Sequence, residues 1–204
     1  MAKLKAPLLS LGASGALGKA IVFFPWKGLN VAREYVVPSN PKTGPQTTQR
    51  GYLTAAVAQI HVLQADPAVP FGALDATSYA LLGSIEPTPR TWFNTVVKEW
   101  VKQKVAGKWP TIAYNGFITP GSLQLTFRLR LSAEAGLITD LLIHYGTSKT
   151  ALINTLAATP VEMEAGKVIP NLVAGTKYYC QARATLPVTH VGFRSGIWYG
   201  VPTA

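Results

Sequence analysis

Few residues of this chain have the types and spacing that catalysis or metal binding requires. His61, His144 and His190 lie far apart, and none has a second histidine at metal-ligand spacing. Glu162 and Glu164 are two positions apart and would share one strand face. Paired carboxylates can perform acid–base chemistry, but a solvated strand edge is the favoured interpretation of this pair. We therefore expect no enzyme, no metal site and no cofactor.

The glycine-rich segment GASGALGK, residues 12–19, does not match a known phosphate-binding loop. That loop requires glycine at position 13 and serine or threonine at position 20, and both positions hold alanine. The dinucleotide-binding spacing and the serine-nucleophile pattern fail as well. The lone cysteine, Cys180, excludes an internal disulfide and a cysteine-based zinc site, so we expect it to pack in a core.

Composition predicts a folded protein with a basic N-terminal quarter. Apolar residues make up 48% of the 204 residues and charged residues 14%, which is too apolar for a disordered chain. No apolar run reaches 18 residues, so no transmembrane helix is expected, and the N-terminus makes a poor signal peptide. The net charge is +10, and residues 1–50 hold seven basic residues against Glu34 alone. Such an arm can bind nucleic acid or an acidic protein surface.

Four basic residues further along the chain could form a charged sheet face. They are Arg128, Arg130, Lys177 and Arg183. Nucleic acid binds such faces when aromatic residues interleave with the charges. The outward positions of 123–131 carry no aromatic residue, so a solvated face is the favoured interpretation.

The N-terminal segment predicts a β-hairpin followed by a stiff extended strap. Residues 21–24 and 30–37 are strand-like, and Pro25-Trp26-Lys27-Gly28 supplies a turn between them. Neither face of the second strand is cleanly polar, so we expect the hairpin to be covered on both sides. Pro38, Pro41 and Pro45 then predict an extended strap that cannot be helical.

The middle of the chain has helical periodicity. Leu53, Val57, Ile60 and Leu63 recur at helical spacing, Asp75 is a candidate N-cap for a second helix, and Thr88 for a third.

The C-terminal part changes to short alternating strands. They are predicted over 123–131, 137–148, 151–158, 161–169 and 177–186, with a last strand near 192–202, a spacing typical of a β-sandwich.

One segment of the C-terminal part resembles a known domain family. The residues Leu172, Gly175, Thr176 and Tyr178 are similar to the segment that joins strands E and F of fibronectin type III domains. The resemblance covers about residues 110–204. It implies that Tyr178 bonds back to the upstream backbone and that Cys180, Ala182 and Ala184 face the core. Trp109 would match the early core tryptophan of that family.

A second resemblance covers about residues 10–105. The pattern is similar to the N-terminal segment of small, poorly characterised phage virion proteins. It comprises Gly15, Gly18, Val22, Phe23, Trp26, Lys27, Gly28, Asn30, Arg33, Tyr35, Val36, Pro38, Asn40, Pro41, Thr43, Gln46 and Arg50. The resemblance implies a structural part of a virus particle.

Together these features predict an α+β protein with three parts. They are an assembly arm over residues 1–50, a helical unit over 51–109 and an immunoglobulin-like, fibronectin type III-like sandwich over 110–204. The predicted arm residues are Trp26, Lys27, Gly28, Asn30, Arg33, Tyr35, Pro38, Asn40, Pro41, Thr43, Gln46 and Arg50. The predicted sandwich core includes Leu172, Gly175, Thr176, Tyr178 and Cys180.

The predicted function is that of a non-enzymatic virion structural protein: a capsid decoration, tail or shell component, made in the host cytoplasm. Its partners would be copies of itself and other virion proteins, with no membrane. One alternative is an adhesion or carbohydrate-binding module, for which Phe193, Trp198 and Tyr199 are the candidate aromatic residues. Others are an extracellular filament or sheath subunit, and a nucleic-acid packaging protein that uses the basic arm.

Overall fold

The chain combines helices with several antiparallel sheets, which confirms the α+β class. The structure is a computed structural model that describes residues 2–4, 14–37, 39–40, 42–132 and 138–204. Two compact units divide between residues 43 and 44. The predicted boundary lay at residue 50, and the predicted helical unit and sandwich fall together in the unit 44–204.

The N-terminal unit is one antiparallel sheet of four short strands in the order β1-β4-β3-β2. The strands are β1 (Ala2–Leu4), β2 (Gly15–Leu17), β3 (Ile21–Trp26) and β4 (Leu29–Glu34). The predicted hairpin is present as β3 and β4, although β4 ends at Glu34 rather than at residue 37. The flanking strands β1 and β2 were not predicted, because three-residue strands are too short to show alternation.

The hairpin turn is shorter than the predicted four residues. Trp26 pairs with Leu29 across the ladder, which leaves Lys27 and Gly28 as the two central residues. Both have positive φ, 49° and 77°, which is the geometry of a type I′ turn. This turn follows the right-handed twist of the strands, and glycine at the second position adopts it without strain.

The predicted proline strap is wrong over its last part. Helix α1 spans Gly44–Gln64, so Pro45 lies in the first turn of a helix. Proline is tolerated there because the first-turn N–H groups have no partner within the helix. The predictions for Pro38 and Pro41 lie outside the described residues.

Two further helices follow, and their caps differ from the predicted ones. Helix α2 spans Ala73–Ser84 with Gly72 as its N-cap, so Asp75 lies inside the first turn rather than before it. Helix α3 spans Trp92–Val105, and its N-cap is Thr91, not Thr88. The Thr91 hydroxyl accepts from the Asn94 N–H at 3.4 Å, which satisfies one of the donors that a helix start leaves open.

The β region forms two antiparallel sheets. The first has the order β5-β6-β9 and the second β11-β10-β7-β8. The strands are β5 (Ala113–Gly121), β6 (Gln124–Leu131), β7 (Asp140–Gly146), β8 (Asn154–Ala158), β9 (Lys167–Ile169), β10 (Tyr178–Leu186) and β11 (Trp198–Gly200). The last strand is shorter than predicted.

Side chains from both sheets form one hydrophobic core. Its largest members include Phe127, Leu129, Leu141, Ile143, Met163, Phe193 and Trp198, and Leu172, Tyr178, Cys180, Ala182 and Ala184 are also part of it. Phe127 and Trp198 lie with ring centroids 5.4 Å apart. The Tyr178 hydroxyl accepts a hydrogen bond from the Val173 N–H at 3.3 Å, so the backward bond expected of this residue is present. Gly175, by contrast, is exposed and has φ of 73°.

Three predictions in the β region are wrong. Residues 160–165 form helix α4 (Pro160–Ala165), because Thr159 and Glu162 make a capping box and proline opens the helix. Leu123 is half exposed and lies outside β6. Trp109 is 48% exposed and is not a core tryptophan; Trp198 fills the core between the sheets instead.

The four basic residues considered for a shared sheet face do not lie on one sheet. Arg128 and Arg130 lie on β6, whereas Arg183 lies on β10 of the other sheet and Lys177 precedes it. Each of the first two has a local partner. Arg128 stacks over the Phe117 ring at 5.6 Å, and Arg130 forms an ion pair with Glu164 at 2.6 Å.

Buried polar contacts join the helices to the sheets within the unit 44–204. The Asp75 carboxylate accepts from the N–H groups of Gly72, Asn115 and Gly116, at 3.0, 2.9 and 2.9 Å. Burial raises the pKa of this carboxyl, and the backbone bonds oppose that rise. The fully buried Tyr79 hydroxyl contacts both the N–H and the carbonyl of Ala113.

A second hydrophobic core explains why the helices and sheets are one unit. It contains Ile60, Leu82, Val96 and Trp100 from the three helices. Ile112, Tyr114 and Ile197 from the β region belong to the same core. Of the four periodic positions predicted in α1, Ile60 and Leu63 are buried, Val57 is half-buried and Leu53 is exposed.

Candidate assembly surface

The N-terminal sheet presents apolar side chains on both of its faces. Successive residues of a strand point to opposite faces, and residues paired across a ladder share one face. The pairing of β3 with β4 therefore places Val22, Phe24, Trp26, Leu29, Val31 and Arg33 on one face. The opposite face carries Leu17, Ile21, Phe23 and Ala32 together with Asn30 and Glu34. We call these the Trp26 face and the Phe23 face.

Much of this apolar surface is exposed or only partly buried. Among residues 14–37, Val31 on the central strand β4 is the one buried side chain, at 5% exposure, while Val22, Phe23 and Phe24 are half-buried. Trp26 is 56% exposed, Leu17 54% and Leu29 45%. Folding normally gains about 25 cal/mol for each square ångström of apolar surface removed from water. The exposed side chains Leu17, Trp26 and Leu29 therefore leave part of this stabilisation unused.

A cation lies at one end of the Trp26 face. The Arg33 guanidinium lies over the Phe24 ring, 5.2 Å from its centroid. A stacked arginine of this kind keeps N–H donors free to meet carbonyl or carboxylate oxygens while its flat side covers an aromatic ring. The face can thus bind apolar side chains and an acceptor at the same time.

The edges of the sheet have the geometry that strand addition uses. The outermost strands in the order are β1 and β2, each three residues long. An edge strand presents N–H and C=O groups that another strand can pair with. Beyond β4, pairing continues for one residue, since the Tyr35 N–H donates to the Ala20 carbonyl at 2.8 Å.

The predicted arm residues that the structure describes lie in three places. The β3–β4 hairpin holds Trp26, Lys27, Gly28, Asn30 and Arg33, and the segment after it holds Tyr35, Asn40 and Thr43. Gln46 and Arg50 lie on α1 and belong to the unit 44–204. The structure therefore does not place all the predicted residues on one element, because the helix begins earlier than the prolines indicated.

The candidate catalytic residues do not converge. Glu162 pairs with Lys167 at 2.6 Å and caps α4, which lowers the pKa of its carboxyl, while Glu164 pairs with Arg130. Burial raises the pKa of the Cys180 thiol to about 12, so this thiol stays protonated and unreactive. Within residues 14–37, 39–40, 42–132 and 138–204, no group of three His, Cys, Asp or Glu residues could hold a metal ion.

The aromatic residues proposed for carbohydrate binding are mostly inside the protein. Phe193 is fully buried and Trp198 is 5% exposed. Tyr199 is half exposed, but the Lys177 ammonium lies 3.6 Å from its ring centroid and Tyr179 lies beside it. A sugar ring stacks on an open aromatic face, and the lysine occupies this one.

The comparisons with known proteins add no family to this description. No family model matches the chain, and no curated protein matches it at a significant level. In the described part of the chain, no helix is both long and apolar enough to cross a membrane.

Proposed function

We propose that this chain is a non-enzymatic structural subunit of a virus particle that assembles with copies of itself through the N-terminal sheet. One observation carries the proposal: a four-stranded sheet with apolar residues on both faces, of which Leu17, Ile21, Trp26 and Leu29 are exposed. A sheet of this kind gains stability when another molecule covers it. The pattern shared with small phage virion proteins supports a virus particle as the assembly.

Symmetry favours a second copy of the chain as the molecule that covers the Trp26 face. The positive charge of the chain does not favour this pairing. Two Trp26 faces can meet about a twofold axis, so that each copy covers the same residues of the other. The apolar residues Trp26 and Leu29 would be buried at the centre. Because Arg33 stacks on Phe24, its donors can turn toward carbonyl groups of the partner rather than oppose its arginine.

We also propose that the two sheets of the C-terminal unit form an immunoglobulin-like sandwich of the fibronectin type III kind. Support comes from the three-stranded and four-stranded orders β5-β6-β9 and β11-β10-β7-β8 around one core. The hydrogen bond from Val173 to Tyr178 is a second support, since a tyrosine at that corner marks the family. Such a module would stiffen the assembly or present a surface, and the fold alone does not choose between these roles.

The test of the assembly proposal is the mass in solution of the full chain and of two matched double variants. In the first, Trp26→Lys with Leu29→Lys adds two charges to the centre of the Trp26 face. In the second, Ile153→Lys with Val161→Lys adds two charges at positions of the other unit that are 80% and 77% exposed. Light scattering over a concentration series gives the mass of each.

The proposal predicts that the full chain and the Ile153/Val161 variant assemble, whereas the Trp26/Leu29 variant remains a monomer up to at least tenfold higher concentration. A wild-type chain that is monomeric at every concentration would reject self-assembly. Detection of this chain's peptides in purified particles of the virus that encodes it tests the virion part separately.

A further inference from the structure

A cavity in the C-terminal unit is lined by four cationic side chains and no carboxylate. It lies between the end of α3 and the segment that follows β10, and its volume is about 310 Å³. The cations are Lys102 and Lys108 on one side and Arg183 and Arg194 on the other. A volume of this size is at the lower end of the roughly 300–1,000 Å³ of small-molecule sites.

The two arginines oppose each other directly. Arg183 and Arg194 pair across an antiparallel bridge between β10 and the next segment. Burial and the nearby Arg194 charge both lower the pKa of Arg183. Like charges in directly opposite positions destabilise a sheet. Neither arginine forms a direct ion pair within the described residues, although the charges of Arg194 and the Glu86 carboxylate interact over a longer distance.

Two buried donors that line the cavity have no acceptor among the described residues. They are Arg194 Nε and Gln103 Nε2. Gln103 is 3% exposed, and its Oε1 accepts from the Thr111 N–H at 3.2 Å, which fixes the amide with its NH₂ group on the other side. A buried donor is stabilised when a ligand or water meets it. Of the seven buried side-chain atoms without a partner in the described part of the chain, these are the two whose residues line this cavity.

The remaining polar groups of the cavity are partly engaged. Lys108 Nζ donates to the Val188 carbonyl at 2.7 Å, and Arg183 Nε donates to Gln181 Oε1 at 3.0 Å. Glu99 lies one helical turn before Gln103 and does not line the cavity. The cavity thus offers positive charge and N–H donors, with no carboxylate among its lining residues.

We propose that this cavity binds a small oxyanion or the phosphate group of a small molecule. Arginine presents N–H donors in a planar fork that matches phosphate oxygens, and two such forks from opposite strands would hold one phosphate between them. Gln103 Nε2 supplies a further donor, and Lys102 adds charge at the exposed rim. The inference stands on the cavity alone and does not depend on assembly through the N-terminal sheet.

Inorganic phosphate is the probe that tests this site. Isothermal titration of the full chain at constant ionic strength, balanced with sodium chloride, measures the dissociation constant. Arg183→Gln with Arg194→Gln should weaken phosphate binding at least tenfold. Lys102→Gln changes an exposed side chain that folding does not need, and should weaken binding about threefold.

Arg128→Gln with Arg130→Gln is the matched control. It removes the same charge, together with two buried Nε donors that also have no acceptor among the described residues, from positions that do not line the cavity. It should leave the constant within about twofold of the wild-type value. Circular dichroism establishes that each variant folds. The absence of saturable binding to the wild-type chain would overturn the proposal. So would equal weakening by the cavity and control pairs, because the effect would then follow net charge rather than the cavity.

Discussion

The two units of this chain use apolar residues in opposite ways. In the unit 44–204, aromatic and branched side chains such as Phe127, Ile143 and Trp100 are buried in two cores. In the unit 1–43, side chains of the same types lie on a sheet where Val31 is the one buried side chain among residues 14–37, and Leu17, Trp26 and Leu29 are about half exposed. The first pattern is that of a domain that stabilises itself. The second is that of a surface that another molecule covers.

The largest expected effect separates the two units by stability. Phe127→Ala removes a fully buried ring that packs on Trp198, and should lower the free energy of unfolding of the unit 44–204 by about 3–5 kcal/mol. Trp26→Ala removes a larger ring from the N-terminal sheet, and should change that same value by less than about 0.5 kcal/mol. Urea denaturation monitored by circular dichroism measures both. Equal losses would mean that the two units do not differ as described.

A substitution at Asp75 tests whether the helices and sheets of residues 44–204 unfold as a single unit. Asp75→Asn replaces a carboxylate oxygen that accepts backbone N–H bonds with a donor, and should cost about 1–3 kcal/mol. Because Asp75 joins α2 to β5, hydrogen exchange should rise in both elements together. Loss of protection in α2 alone would show that the two parts unfold independently. Asp140→Asn is the control, since that carboxylate accepts from the Thr139 hydroxyl at an exposed site.

Helix capping gives a smaller and more local effect. Thr91→Ala removes the cap of α3 and should cost about 1 kcal/mol of unfolding free energy. Thr88→Ala changes an exposed threonine three residues earlier and should cost less than about 0.5 kcal/mol. Thermal denaturation of the two variants side by side measures the difference. A larger loss from Thr88→Ala would place the start of the helix earlier than described.

The smallest expected effect depends on pH. Burial, and then the charge of Arg183, lower the pKa of His144 below its usual 6.5. The unfolded chain then binds the proton more readily than the folded one, so the stabilisation is present above pH 6.5 and is lost as the pH falls from 6.5 through the lower pKa of the folded state. Between pH 7.5 and 5.5, the urea midpoint of the wild-type chain should fall more steeply than that of His144→Gln. An equal fall of the urea midpoint in the wild-type chain and in His144→Gln would contradict the lowered pKa of His144.

Elements with strong hydrophobic periodicity could be predicted from the sequence. Elements whose type or start depends on a few capping or proline residues could not. The alternation of 124–131 and the type of the 178–186 segment are as predicted, because each strand buries one face. Helix α4 was taken for a strand, although Thr159, Pro160 and Glu162 form a capping signal. The start of α1 was missed for a related reason. Proline excludes a helix interior and yet favours the first turn of one.

The candidate assembly surface was predictable in its location and not in its form. The mixed pattern of residues 30–37 indicated a hairpin that needs cover on both sides, and the N-terminal sheet has apolar residues on both faces. The strand β2, the type I′ turn and the division at residue 43 are not visible in the pattern. The cationic cavity was not predictable either, since Lys102, Arg183 and Arg194 are far apart in the sequence and line one cavity only in the folded unit.

The most direct test of the account is hydrogen exchange of the full chain at several protein concentrations, read separately for β3–β4 and for β6–β7. The account predicts that protection of β3–β4 rises with concentration while protection of β6–β7 stays constant, because only the first is covered by another copy. A hairpin that exchanges at the same rate at all concentrations, whether fast or slow, would contradict the claim that the N-terminal sheet is an assembly surface.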